Sequence, residues 1–198
     1  MSQLWIATGN KGKLSEFKSL LHDLNLEIHS QTELKNYFSP KETGSSFEEN
    51  ARIKAKALRT RISDAWVLAE DSGLEVPALN NLPGIHSARY AGDNARDEEN
   101  VAKLLKMLKI RAPQQREAVF KAALIAIAPS GEEHIFESQF EGKISEKVRP
   151  GQGFGYDVCF IPNGEDKTLS ELGVAYKNKH SHRALVIRQF KDFLQNQL

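Results

Sequence analysis

The feature that most constrains the fold is a short apolar run, Trp66–Ala69, that is followed at once by two adjacent carboxylates. The run predicts a buried strand, and the sequence from Glu70 and Asp71 to Ser72-Gly73 predicts that the strand ends there. Two acids at the end of a buried strand are costly to desolvate unless a cation, a basic side chain or a ligand compensates them. Ligands collect at the carboxyl ends of strands in α/β proteins. The acids therefore indicate either a solvated strand end or a ligand site.

The overall charge of the chain restricts its partners. The 198 residues carry a formal net charge of +1, from 27 basic and 26 acidic side chains. Such a balance gives no overall attraction to nucleic acid or to a membrane, so any anion site has to be local. We therefore expect no nucleic-acid partner and no membrane partner. The length predicts a single domain over residues 1–198, with one large core or two small lobes around a cleft.

The sequence also indicates a cellular compartment. No apolar stretch approaches the length of a membrane span, and the first residues lack the basic region of a signal peptide. A single cysteine, Cys159, excludes an internal disulfide and suits a reducing environment. We expect a cytoplasmic protein.

A polar hexapeptide lies between the first predicted strand, Leu4–Ala7, and a helix with apolar residues recurring over positions 14–24. It consists of Thr8, Gly9, Asn10, Lys11, Gly12 and Lys13. Backbone amides and the helix dipole favour an anion at this position, and the two lysines add positive charge. The spacing is not that of a Walker A loop, and a glycine turn between a strand and a helix is often purely structural. The hexapeptide is therefore a candidate phosphate-binding loop.

A second helix is predicted over residues 47–58. Ser45 or Ser46 can cap it, because a glutamate follows each of them three residues later. Lys54 shares a face with Phe47 and Leu58, seven residues before it and four after it. A lysine on the buried side of a helix either extends its amine to solvent or has a partner. Lys54 is therefore a candidate ligand for an anion.

The rest of the chain predicts a mixed sheet with helices. Residues 118–128 and 134–140 flank a turn at 129–131, which indicates an antiparallel hairpin. Further helices are predicted from Asp93, after Thr168 in a capping box, and after Ser181 as N-cap. The predicted class is α/β, with a mixed central β-sheet flanked by helices, in two lobes with a substrate cleft between them.

Two further segments carry groups suited to a base. Residues 149–157 form a glycine-dense loop that leads into a strand predicted over residues 158–161. The loop carries two aromatics and an acid, and an aromatic such as Phe154 could stack on a base. Residues 177–183 put a basic cluster at a helix start, where it opposes the helix dipole. This conflict indicates an anionic or polar ligand, to which Lys177 and Arg183 can donate.

Together these groups describe a magnesium-nucleotide site, with Glu42, Glu70 and Asp71 as possible oxygen ligands. On these residues the chain resembles the inosine triphosphate pyrophosphatase family. The resemblance consists of six blocks, in order over nearly the whole chain: residues 8–13, 47–55, 70–74, 82–90, 153–157 and 177–183.

The resemblance implies an enzyme that uses Mg²⁺ to hydrolyse deaminated purine nucleoside triphosphates, namely ITP, dITP and XTP, to the monophosphate and pyrophosphate. Residues 8–13 and Lys54 would bind the phosphates, and Glu42 and Asp71 would hold the ion. Asp71 would also orient or deprotonate the attacking water, and Ser72 would contact the substrate. The residues implied to enclose the base are Phe154, Gly155, Tyr156, Asp157, Lys177, His182 and Arg183. Donors there would satisfy a 6-oxo group and be left unpaired by a 6-amino group.

The sequence departs from the family pattern in places. Lys41 stands where relatives often carry a second acid. Glu70 replaces a frequent aspartate, so Glu70 is either a metal ligand or a residue that does not touch the ion and supports the residues that do. The resemblance also implies a homodimer, with Phe38 and residues 79–90 as candidate contacts. Two other functions compete: a pyrophosphatase of other modified nucleotides, of the septum-inhibitor type, and a non-catalytic nucleotide-binding module, which would not need both acids beside Lys54.

Overall fold

The structure is a computed structural model that describes residues 2–196. Its strands are β1 Ser2–Ile6, β2 Leu26–Ser30, β3 Trp66–Val76, β4 Leu82–Pro83, β5 Glu117–Ile127, β6 Glu133–Ile144 and β7 Phe160–Pro162. Its α-helices are α1 Lys11–Leu20, α2 Phe47–Arg59, α3 Asp97–Arg111, α4 Leu169–His180 and α5 His182–Gln195. Among these residues, no helix has the length and apolar character needed to cross a membrane.

The strands form one mixed sheet in the order β2-β1-β3-β5-β6-β7, with β4 paired to β3. Strand β1 is parallel to β2 and β3, whereas β3 with β4 and β6 with β7 are antiparallel pairs. Ile6 lies opposite Leu68, and the Ala7 amide donates to the Leu68 carbonyl at 2.7 Å. The hexapeptide that follows β1 therefore starts beside the acid pair of β3. The predicted mixed sheet flanked by helices is confirmed.

The chain divides into two compact units. Within the described residues, the first unit comprises 2–71, 122–138 and 183–196, and the second comprises 72–121 and 139–182. The single domain and the cleft between two lobes stay predictions. Residues 1, 197 and 198 of the predicted domain lie outside the described part of the chain.

The core of the first unit consists of two apolar clusters that use alternate residues of β3. Leu68 belongs to a cluster that includes Phe17 of α1 and Phe190 of α5. Val67 and Ala69 belong to another cluster, which includes Ala51, Ala55 and Leu58 of α2. Neighbouring residues of a strand point to opposite faces of the sheet, which accounts for this division. We call the side of β3 that packs against α2 the α2 face, and the side that packs against α1 and α5 the α1–α5 face.

The second unit has its own core, in which the apolar face of α3 is buried. Leu104 and Leu108 are inaccessible to solvent, as the predicted helical pattern required. Phe120 and Phe160 pack with their ring centroids 4.6 Å apart. These contacts join α3, β5 and β7 into one apolar cluster that also includes Leu74 and Val76 of β3.

Three predicted boundaries are wrong. Strand β3 does not end at Glu70 but continues to Val76, because Leu74 and Val76 are buried and extend the strand pattern. Helix α3 begins at Asp97 and not at Asp93. The strand predicted from residue 158 begins at Phe160, after a 3₁₀ turn over Gly155–Val158.

Candidate functional site

The two acids of β3 face opposite sides of the sheet. Glu70 and Asp71 are both buried in β3, between the apolar residues 66–69 and the buried Leu74 and Val76. By the alternation of the strand, Glu70 shares the α1–α5 face with Leu68, and Asp71 shares the α2 face with Ala69. Each acid therefore meets basic side chains from the helices on its own side.

On the α2 face, Lys54 joins two carboxylates. Its ammonium donates to Asp71 Oδ1 at 3.0 Å and to Glu42 Oε1 at 2.9 Å, and its side chain is only 12% exposed. The prediction that Lys54 points inward is confirmed. Burial tends to lower the pKa of Lys54, but the attraction of Asp71 and Glu42 outweighs burial and raises that pKa. Lys54 is therefore a firmly charged cation between two acids.

The pKa of Asp71 lies above its ordinary value. Burial raises the pKa of Asp71, and the positive charges of Lys54 and Lys13 oppose that shift only in part. Its second oxygen, Oδ2, is buried and accepts no hydrogen bond from any described residue. Asp71 therefore keeps one carboxylate oxygen for a group other than Lys54.

Glu42 and Asp71 fit a hard divalent cation. Both carboxylates already converge on the positive charge of Lys54, and one oxygen of Asp71 has no hydrogen-bond partner among residues 2–196. Mg²⁺ in proteins is commonly held by one or two carboxylates, with water and substrate phosphates completing its shell. A ready cluster of three or more His, Cys, Asp or Glu ligands does not occur within residues 2–196. These two acids could therefore hold an ion only together with water or phosphate.

On the α1–α5 face, Glu70 binds two cations. Lys13 of α1 approaches Glu70 Oε2 at 2.7 Å, and Arg183 of α5 donates from Nε to Oε1 at 3.3 Å. Arg183 also donates from Nη1 to Glu16. Burial tends to lower the pKa of Arg183, but Glu70 and Glu16 raise it further above its usual value. The structure thus brings Arg183, predicted as a base contact, into the same buried cluster as the phosphate-loop lysine.

The segment predicted to bind phosphate is ordered by its own side chains. Asn10 caps α1 by accepting from the Lys13 amide at 3.0 Å, and Thr8 Oγ1 accepts from the Asn10 amide at 3.1 Å. Ser30 Oγ donates to the Thr8 carbonyl at 2.9 Å. Lys11 is exposed at the first position of α1, whereas Lys13 turns inward to Glu70. Gly9 precedes the N-cap residue of α1, and Gly12 is the second residue of the helix.

The segment that carries Glu42 is fixed by the start of α2. Asn50, which is fully buried, accepts from the Gly44 amide at 2.9 Å. Glu49 accepts from both the amide and the hydroxyl of Ser45, at 2.6 and 2.8 Å. A Cβ atom on Gly44 would lie 2.6 Å from the Glu49 Cβ, so only glycine fits there without displacement. The N-terminal turns of α2 therefore hold the loop that presents Glu42.

Sequence reasoning missed Asn50, Gly44 and Glu16. Asn50 lies three residues after Phe47 and four before Lys54, so its place on the inward face of α2 was a usable signal. Glu16 lies one helical turn after Lys13, which indicates a shared face of α1, but nothing in the sequence links it to Arg183.

In the second unit, three residues predicted to enclose a base are in contact with one another. Lys177 donates to Asp157 Oδ2 at 2.6 Å and lies 4.1 Å from the centre of the Phe154 ring. Asp157 Oδ2 also accepts from the Phe154 amide at 3.0 Å. The side chains of Lys177 and Asp157 are nearly inaccessible to solvent. The pair therefore fixes the backbone of the glycine-dense loop and places a cation on one aromatic ring.

The block at residues 82–90 supports the same loop. Tyr156 is buried, and its hydroxyl donates to the Ser87 carbonyl at 2.9 Å. Burial raises the pKa of Tyr156 well above the usual range, so it remains a neutral donor. The Ser87 hydroxyl accepts from the Leu74 amide at 2.9 Å, and the Gly155 amide donates to Asp97 at 2.8 Å. This block therefore has a supporting role that its sequence alone did not indicate.

Two other predicted site residues have defined places. His182 is buried and stacks on Phe120, with ring centroids 4.6 Å apart and planes 5° from parallel. Helix α5 starts at His182, and Ser181 before it has the extended backbone of an N-cap residue. Ser72 is half-buried in β3, one residue after Asp71. Their functional roles stay predictions.

The fold and these residues define an α/β protein with a buried cluster of acids and lysines on its central strand β3. The chain belongs to the Ham1 family, whose sequence profile matches residues 4–193. The resemblance found in the sequence is confirmed by relatives named dITP/XTP pyrophosphatase.

Three similar proteins illustrate the relation. The dITP/XTP pyrophosphatase of Bdellovibrio bacteriovorus is 50% identical over 194 residues, which cover 98% of each chain. The protein of the same name from Bacillus subtilis is 40% identical over 195 residues, again 98% of each chain. The structure of a HAM1 protein from Coxiella burnetii has a TM-score of 0.90 at 36% identity, and the match covers 99% of this chain and 100% of that one.

Proposed function

We propose that this chain is a nucleoside-triphosphate pyrophosphatase, which hydrolyses deaminated purine nucleoside triphosphates (dITP, ITP and XTP) to the monophosphate and pyrophosphate with Mg²⁺. The observation that carries this proposal is the convergence of Asp71 and Glu42 on Lys54. It occurs in a chain that is 50% identical, over nearly its whole length, to a relative named dITP/XTP pyrophosphatase.

The first step that the residues support is binding of the triphosphate. Lys13 lies in the first turn of α1, where helix amides favour an anion, and the charge of Lys54 is close enough to lower the pKa of Lys13. Hydrolysis of a phosphoanhydride depends mainly on neutralising the phosphate charges and positioning the nucleophile. Mg²⁺ held by Glu42 and Asp71 would add charge neutralisation and polarise a phosphate oxygen.

Asp71 is the proposed proton acceptor. Its buried Oδ2 has no hydrogen-bond donor among the described residues, so this oxygen can accept a proton from water. A water that donates to this oxygen loses its proton to Asp71 as it attacks the α-phosphorus. The bond from the α-phosphorus to the bridging oxygen breaks, and pyrophosphate leaves with that oxygen. Lys54 holds the Asp71 carboxylate in place by its bond to Oδ1.

Selectivity for the base is proposed to depend on stacking and on donors. Phe154 would stack on the purine, while Lys177, His182 and Arg183 would supply donors or fix the donors that contact its 6-oxo group. A 6-amino group offers no acceptor, so it leaves a buried donor unpaired. Each unpaired donor costs about 1–3 kcal/mol, or roughly 5-fold to 150-fold in kcat/KM.

The test is a pyrophosphate-release assay with purified protein and Mg²⁺, across dITP, ITP, XTP, dATP, dGTP and modified pyrimidine triphosphates. We expect kcat/KM for the deaminated purines to exceed that for dATP, whose base carries the 6-amino group, by at least about tenfold. Equal rates on all substrates would remove the specificity, and a preference for modified pyrimidines would support the septum-inhibitor type. Asp71→Asn is the inactive control, because it keeps the shape of the side chain but removes the base.

We also propose that the enzyme works as a cytoplasmic homodimer. The support is the family resemblance together with an aromatic side chain, Phe38, that is 86% exposed and suits a contact surface. Mass photometry over a range of concentrations tests the assembly. A mass of one chain at all concentrations would contradict it.

A further inference from the structure

Glu70 uses its two oxygens on two different cations. Oε2 lies 2.7 Å from the ammonium of Lys13, and Oε1 accepts from Arg183 Nε at 3.3 Å. The Glu70 side chain is 1% exposed and that of Lys13 is 17% exposed, so solvent screens their contact only weakly. One carboxylate therefore links the phosphate-loop helix α1 to the first turn of α5.

The direction of Glu70 separates it from the metal-binding pair. Asp71 and Glu42 meet at Lys54 on the α2 face, whereas Glu70 points to the α1–α5 face. Neighbouring residues of a strand cannot exchange faces without a change of register. The sequence left two roles open for Glu70, and the geometry favours that of a residue that supports the site without touching the ion.

The charges around Glu70 explain why an acid is needed there. Burial lowers the pKa of Lys13, and the nearby charges of Arg183 and Lys54 lower it further, while Glu70 is the main opposing influence. Glu16 also accepts a hydrogen bond from Arg183. Without the Glu70 charge, Lys13 would face the charge of Arg183 across a neutral side chain, which is unfavourable even though Glu16 still accepts from Arg183.

We propose that Glu70 is a positioning residue that sets Lys13 and Arg183 at a fixed separation, so that phosphate binding and base selectivity depend on one carboxylate. The proposal rests on the proposed function for the roles of Lys13 and Arg183. The role of Glu70 goes beyond that function, because it makes phosphate binding by Lys13 and base selectivity by Arg183 depend on each other.

The length of the side chain is part of the proposal. Aspartate is shorter by one carbon–carbon bond, about 1.5 Å. From this position an aspartate cannot keep both contacts within hydrogen-bond distance, because the Arg183 contact is already long at 3.3 Å. Glu70→Asp should therefore keep one cation and lose the other, and Glu70→Gln should lose the charge of both contacts.

The first experiment measures kcat and KM for dITP and dATP in the wild type, Glu70→Gln and Glu70→Asp. Hydrogen bonds to charged groups correspond to about tenfold to hundredfold. We therefore expect Glu70→Gln to raise KM for both nucleotides about tenfold or more, and to reduce the dITP-to-dATP ratio by a similar factor. Glu70→Asp should recover part of one effect. If either variant lowers kcat alone, with KM and the ratio unchanged, Glu70 is merely structural and the proposal is overturned.

Glu75→Gln is the matched control. Glu75 also lies on β3 and pairs with a lysine, Lys121, at 2.7 Å, but it belongs to the second unit and to none of the clusters above. We expect its KM values and nucleotide ratio to match the wild type. An equal change in Glu75→Gln and Glu70→Gln would show a general effect of altering the strand, and would overturn the proposal.

The second experiment does not depend on activity. Acetylation by an N-hydroxysuccinimide ester, followed by mass spectrometry, compares Lys13 with the exposed Lys11 of the same helix turn. Glu70→Gln should raise the relative reactivity of Lys13 about tenfold, because Lys13 loses the charge that keeps it protonated. Unchanged reactivity would overturn the proposal even in an active pyrophosphatase. Changed reactivity in a protein that hydrolyses no nucleotide would refute the proposed function and leave the link between Glu70 and Lys13 standing.

Discussion

Replacing Lys54 by methionine tests the acid–lysine cluster directly. The ammonium joins Asp71 and Glu42 in a largely buried place, and its removal leaves two carboxylates without their cation. Breaking a buried ion pair by removing one partner costs about 3–5 kcal/mol. The contact with Glu42 adds little, because that side chain is 26% exposed. For a chain of this size each kcal/mol corresponds to about 2–4 °C, so Tm should fall by about 6–20 °C.

Magnesium should partly restore the stability of Lys54→Met. If Glu42 and Asp71 form the ion's site, Mg²⁺ takes over the role of the ammonium. At tenfold its dissociation constant, the ion would contribute about 1.4 kcal/mol, or about 3–6 °C. Wild-type protein should gain less, since Lys54 already compensates the two acids. Thermal unfolding followed by circular dichroism, with and without Mg²⁺, measures both effects.

The matched control for this test is Lys56→Met. Lys56 lies two residues further along α2, is 64% exposed, and approaches Glu133 only at 3.9 Å. Exposed ion pairs are worth about 0–1 kcal/mol, so its Tm should change by no more than about 4 °C. Equal losses in Lys54→Met and Lys56→Met would refute the compensating role of Lys54. Equal Mg²⁺ effects in the variant and the wild type would refute the ion site.

Three further predictions concern other residues. Asn50→Ala removes the acceptor of the Gly44 amide, so the loop before α2 should shift and the rate of pyrophosphate release should fall about tenfold. An unchanged circular dichroism spectrum would show that the variant is folded. The pKa of Lys13 is lowered, so Lys13 loses its charge as pH rises through a value below 10.5. We expect kcat/KM to begin to fall in that pH range. Lys13→Arg should move this fall to higher pH, because arginine keeps its charge. Tyr156→Phe removes the hydrogen bond to the Ser87 carbonyl and should lower the free energy of unfolding by about 1–3 kcal/mol, measured by urea denaturation; no change would mean that another donor replaces the hydroxyl.

Local patterns in the sequence predicted the helices that position the site. The inward direction of Lys54 followed from its spacing to apolar residues of α2, and the capping serine at the start of that helix is Ser46. The capping box at Thr168 was equally readable and is confirmed. These features depend on residues three or four positions apart, which is the range over which a helix brings side chains together.

The direction of the two acids could not be predicted once β3 was expected to end at Glu70. Polar residues followed by Gly73 are typical of a turn, and only tertiary contacts show that basic side chains compensate both acids inside the strand. The pair of Arg183 with Glu16 joins residues 167 positions apart. No local pattern reports such a contact, so the internal partner of Arg183 was missed.

The alternation of β3 also bears on how the length of this chain can vary during evolution. Since Glu70 and Asp71 point to opposite faces, inserting one residue between Ala69 and Glu70, or deleting Ala69, would turn each acid toward the other's helices. Substitutions at either position change the chemistry by degrees, whereas a single-residue indel exchanges both acids at once. Relatives that retain this site should therefore differ in residue type along the strand and not in its length. The same constraint makes this segment a poor place for engineered insertions, in contrast to the exposed turn between β5 and β6.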